Sequence, residues 1–108
     1  MISAEFSRTR DGLSLKMDGH AGYAQGGEDI VCAAVSGIFY ALIGYMANEC
    51  EGLAIKTISP GQAFIECGMD GEEAMKQACI GFLQIALTYP GTLKVDNCVW
   101  NWKISKPA

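Results

Sequence analysis

Gly19-His20-Ala21-Gly22-Tyr23-Ala24-Gln25-Gly26-Gly27-Glu28-Asp29-Ile30-Val31-Cys32-Ala33-Ala34-Val35-Ser36 changes character twice within eighteen residues. Before it, Leu13, Leu15 and Met17 alternate with polar residues, so Gly19-His20 reads as the end of a β-strand. Residues 21–28 carry Gly22, Gly26 and Gly27, which favour a loop able to take unusual backbone angles. From Asp29 onward the chain turns continuously apolar, with an acid placed to cap a helix. A strand thus hands over, through a glycine-bearing loop, to a helix.

Upstream, Ile2, Ala4 and Phe6 alternate in the same way, and Asp11-Gly12 supplies a turn, predicting a β-hairpin. Downstream, the helix runs from about Asp29 to Glu51-Gly52. Its apolar residues go almost all the way round, which predicts a central, mostly buried helix rather than a membrane span. Ser59-Pro60-Gly61-Gln62 joins two further strands, residues 53–58 and 63–67. Asp70 and Glu73 have capping-box spacing ahead of a second helix. There Met75, Ala78, Cys79, Phe82, Leu83 and Ala86 form one stripe, and Tyr89-Pro90-Gly91 ends it. A last strand, from Leu93 to Trp102, carries both tryptophans. The order β-β-α-β-β-α-β predicts an α+β fold, two helices packed on a largely antiparallel sheet.

At 108 residues the chain is one domain, residues 1–108, with room for a single core. A formal charge of −4 argues against nucleic acid or an anionic membrane as partner and suits a basic peptide. No basic start followed by an apolar run resembles a signal peptide, so a cytoplasmic location is expected. Cys32, Cys50, Cys67, Cys79 and Cys98 are odd in number and contain no C-x-x-C pair. That pattern fits neither a zinc site nor a disulfide framework. The four outside the opening stretch read as small buried hydrophobes.

Chemistry concentrates in the opening stretch. His20, the only histidine, precedes Cys32 by twelve residues, and the pair is the minimal kit of a thiol nucleophile if the fold brings them together. A free thiol near pKa 8.5 is mostly protonated at neutral pH; a helix N-terminus and an imidazolium both favour the thiolate. Asp29 lies at i−3 and Ser36 at i+4 from Cys32, on its face of the helix. Asp29 could cap the helix, orient His20, or do both. Ser36 could bond the sulfur or a substrate carbonyl, or be only a tolerated small residue. Backbone N–H groups near Cys32 could form an oxyanion hole. On spacing alone the residues say no more than a thiol enzyme.

The order Gly19-His20-Ala21, a glycine-bearing loop, then Asp29-Ile30-Val31-Cys32-Ala33-Ala34-Val35-Ser36, resembles the signature of the ribosomal-processing cysteine proteases, the Prp family. The resemblance implies a Cys/His catalytic dyad at Cys32 and His20, supported by Gly19, Asp29 and Ser36. The glycine-bearing loop between His20 and Cys32, with Gly22, Tyr23, Gly26 and Gly27, could act as a substrate lid that orders when peptide binds. Members are homodimeric endopeptidases that remove a short N-terminal extension from large-subunit ribosomal protein 27 before ribosome assembly, without metal or cofactor. Two other readings use the same residues: a non-catalytic ribosome-associated interaction module, and a redox thiol with Cys32 as sensor. For the latter, Cys50 is eighteen residues along the same helix, about 27 Å at 1.5 Å per residue, too far to pair.

Overall fold

The computed structural model describes residues 1–19 and 29–101. His20, Gly22, Tyr23, Gly26, Gly27 and Trp102 lie outside the described residues.

The elements are β1 (Ile2–Arg8), β2 (Gly12–Asp18), α1 (Ile30–Glu49), β3 (Ala54–Ser59), β4 (Gln62–Gly68), α2 (Glu72–Thr88) and β5 (Leu93–Asn97). The strands form one sheet in the order β3-β4-β2-β1-β5, with every neighbouring pair antiparallel except β1 with β5. That order explains the helices. β2 and β3 point the same way, and so do β4 and β5, so each helix is a crossover between parallel strands. The two crossovers move in opposite directions from strands of opposite sense. Right-handed connection therefore puts both helices on one face.

Period-two patterning agrees. Ala4 faces Met17, which faces Ala63; Phe6 faces Leu15, which faces Ile65; all are buried beneath the helices. Glu5, Lys16 and Glu66 take the opposite face. Phe6 holds the centre of the core, with ring centroids 6.0 Å from both Phe82 of α2 and Trp100.

α1 departs from its expected all-round burial. Only Val31, Val35, Phe39, Leu42 and Met46 are buried along it, whereas Tyr40 and Tyr45 are 62% and 54% exposed. The sheet has helices on one face only, so nothing described covers α1 from outside. By length and composition α1 could cross a membrane, yet its buried stripe is packed in the core. Its direction matters for the site. α1 starts over the Met17–Ala63 end of the sheet and finishes at the other end. There a Cβ placed on Gly71 would fall 2.8 Å from Cys67 Sγ and 3.0 Å from Met46 Sδ.

Three local expectations are corrected. Asp70 is not a capping-box residue: it sits in a 3-10 turn, Met69–Gly71, and α2 starts behind Gly71 without a side-chain cap. The Asp70 carboxylate instead accepts the backbone N–H of Glu51 at 3.0 Å, tying the exit of α1 to the entry of α2. The last strand stops at Asn97, because Asn97 Oδ1 accepts the N–H groups of Val99 and Trp100 (3.0 and 2.9 Å) and folds the chain into a turn. Of the four cysteines expected to be buried, only Cys67 and Cys79 are; Cys50 is half-buried and Cys98 exposed. Burial pushes both the Cys67 and Cys79 thiols up to about 11, which keeps them protonated and inert.

Phe82 is fully buried at the meeting point of α2 and β1. Phe82→Ala is expected to lower the unfolding free energy by about 3–5 kcal/mol in urea denaturation, with Phe82→Leu losing clearly less.

Candidate active site

Asp29 opens the site. It is 5% exposed and extended, and its Oδ1 accepts the N–H groups of Val31 (2.9 Å) and Cys32 (3.0 Å). Its carbonyl takes the next N–H, that of Ala33, at 3.1 Å. The capping role expected from sequence is therefore present. The same bonds correct the expected oxyanion hole: the N–H groups of Val31, Cys32 and Ala33 are already committed to Asp29. Ser36, exposed one turn further along α1, presents a hydroxyl to the same groove.

Gly19 ends β2 from the other side. Its φ is +95°, and a Cβ there would fall 2.4 Å from the carbonyl oxygen of Met1, so only glycine fits. Its N–H donates to the carbonyl of Gly61 at 2.8 Å, holding the end of β2 against the β3–β4 turn. Gly61 takes φ +77° after Pro60, as the turn signal in the sequence requires.

Between these two anchors lies a groove of about 440 Å³. Gly19, Cys32 and Ser36 all line it, so three of the residues singled out by sequence meet at one place. Asp29 supports from below the helix start. Cys32 is half-buried and lines the groove. The chain also leaves the groove at Gly19, the residue before His20. Among the described residues no cluster of three or more histidine, cysteine or carboxylate side chains could hold a metal ion.

Sequence reasoning missed Tyr40 on the α1 side of the groove, Ile58 and Gln62 on the side opposite, and Met17 and Ala63 as its floor. Tyr40 had a readable signal, since it follows Cys32 by eight residues and Ser36 by four and so shares their side of α1. Ile58 had none, because only the sheet order brings β3 beside the N-terminal half of α1.

An open groove with a thiol at a helix start can place a peptide carbonyl against sulfur. The fold is shared with solved structures. The solved structure of the ribosomal processing protease Prp from S. aureus with a covalently linked product peptide is similar to this chain at a TM-score of 0.77 and 20% identity, covering 90% of this chain and 99% of that one. The S. aureus protease with a substrate peptide gives 0.72, at the same identity and coverage. SMU.848 from Streptococcus mutans gives 0.71 and 23% identity, covering 90% of this chain and 93% of that one. At these identities the likeness is one of fold. No protein of curated function matches. The model of the cysteine protease Prp family matches residues 1–94, and the chain belongs to that family.

Proposed function

We propose that this cysteine protease removes the N-terminal extension of large-subunit ribosomal protein 27, acting in the cytoplasm to support ribosome assembly. The observation that carries the reading is Cys32, half-buried in a groove and fixed at the start of α1 by Asp29. Family membership and the ribosomal-processing role of the S. aureus protease, whose structures hold substrate and product peptides, support it.

In this reading Cys32 and His20 form the dyad. His20 takes the thiol proton as Cys32 Sγ attacks the scissile carbonyl carbon, then returns it to the leaving amine as the C–N bond breaks. Water hydrolyses the resulting thioester, with His20 again accepting a proton, and the free thiol is restored. Ser36 donates to the carbonyl oxygen. Gly19 sets the backbone that leads into His20, and residues Gly22, Tyr23, Gly26 and Gly27 close over bound peptide as a lid. No metal or organic cofactor enters these steps.

The protease is further proposed to work as a homodimer. α1 bears no charged residue from Ile30 to Asn48, and Ala34, Gly37, Ala41 and Gly44 are exposed on its outer side, with open space above Gly37 and Gly44. An uncharged face of small residues lets a second copy of an acidic chain approach without repulsion. Sedimentation equilibrium is expected to give twice the chain mass for wild type and a shift to monomer for Gly37→Glu; a wild-type monomer at micromolar concentration contradicts the dimer.

Cleavage is tested with a peptide copying the extension of the same organism's ribosomal protein 27. Wild type is expected to cut it, and Cys32→Ala and His20→Ala to lose at least a thousandfold in kcat/KM while remaining folded. Failure of folded wild type to cut the peptide, joined to unaltered binding by Cys32→Ala, would instead mark a non-catalytic interaction module. For the cap, Asp29→Ala is expected to lose about 1 kcal/mol of stability and Asp29→Asn only a few tenths, read by urea denaturation. Equal losses would contradict a capping role.

A further inference from the structure

β3 is an edge strand, and it is treated unlike the rest of the sheet. Ile55 and Ile58 pair with Ile65 and Ala63 and so belong to the helix-facing side. Ile65 and Ala63 are buried, yet Ile55 and Ile58 stand 50% and 45% exposed. α1 lies over β2 and β4 and leaves β3 uncovered among the described residues. Ile58 thereby lines the same groove as Cys32 and Tyr40, between α1 and β3.

Among the described residues the backbone of β3 also has a side without a strand partner. Ser59 and Gln62 flank a two-residue turn and face each other as a hydrogen-bonded pair. Hydrogen bonding alternates along an antiparallel strand, so the next residue back, Ile58, turns its N–H and C=O away from β4. The register slips between Ile55 and Thr57, making Lys56 a bulge. A bulge that carries a lysine twists and guards an edge against further pairing. The part of β3 left competent to receive another strand is therefore Thr57–Ser59, the part beside the groove.

Length agrees. Tyr40, which faces Ile58 across the groove, lies eight residues beyond Cys32, about 12 Å along the helix. An extended peptide covers that distance in roughly three to four residues. Since α1 runs along the strands, a peptide following it from Cys32 to Tyr40 lies alongside β3 and in reach of its open edge.

We propose that β3 is the docking strand for the peptide substrate. An extended segment adds to the sheet beyond β3, exchanging hydrogen bonds with the N–H and C=O of Ile58. It sets an apolar side chain between Ile58 and Tyr40, three to four residues from the scissile bond. Main-chain pairing supplies affinity and the Ile58–Tyr40 pocket supplies selectivity. This rests on the peptidase reading above and assigns its substrate the form of a β-strand.

The test uses the peptide that wild type cleaves, bound at saturation to Cys32→Ala, with backbone amide exchange followed residue by residue by NMR. The Ile58 amide is expected to exchange at least tenfold more slowly in the complex, while the Thr57 amide, already bonded to β4, changes little. In parallel, a peptide N-methylated at a single nitrogen three or four residues from the cleavage point is expected to raise KM at least tenfold with a smaller effect on kcat. Bound peptide with unchanged Ile58 exchange overturns the docking strand and leaves the peptidase reading standing. Absence of cleavage by folded wild type overturns the peptidase reading, and the docking strand with it.

Discussion

The Asp29 carboxylate, one oxygen shared between the N–H groups of Val31 and Cys32, sets where α1 begins. A helix start has unpaired donors that must be satisfied, and a buried acid does so at a defined residue rather than at a frayed turn. Everything that positions the thiol follows from that point. Cys32 sits one residue beyond the first bonded amide, Ser36 one turn on, and Tyr40 two turns on, all bordering one groove. Buried Val31, Val35 and Phe39 then lock the rotation of the helix against the sheet. The bonds that fix the thiol also occupy the N–H groups of Val31, Cys32 and Ala33.

The wall of the groove opposite α1 exists because the sheet is unevenly covered. Two crossovers of the same hand, made in opposite directions, place both helices on one face. Two helices do not span five strands, and β3 is left with its inward isoleucines open. In most folds such an edge is a hazard for association. Here the bulge at Lys56 limits it to the few residues beside Cys32. The contrast among cysteines follows the same division. Cys67 and Cys79 face the packed part of the sheet and stay protonated, whereas Cys32 borders the open part.

Much of this was readable before the fold was known. Alternating apolar residues and turn residues at Asp11-Gly12 and Pro60-Gly61 specify hairpins with little tertiary help, and helical spacing alone grouped Asp29, Cys32 and Ser36. The errors have separate causes. α1 is so uniformly apolar that its sequence carries little direction, and the buried stripe was decided by what it packs on. Asp70 had capping spacing but accepts instead from the Glu51 N–H, nineteen residues back along the chain. The end of β5 was set by the Asn97 side chain bonding its own backbone, which strand propensity does not report. Ile58 became part of the site through sheet order, a long-range property that no local pattern records.

The central claim is that the thiol in the groove is the nucleophile. Its most direct test is a chloromethyl ketone built on the sequence of the cleaved peptide, incubated with wild type and located by intact mass and peptide mapping. The account predicts a single adduct, on Cys32, whose appearance tracks the loss of cleavage, with Cys50, Cys67, Cys79 and Cys98 unmodified. Inactivation with the adduct on another cysteine, or full cleavage with Cys32 covered, would contradict it.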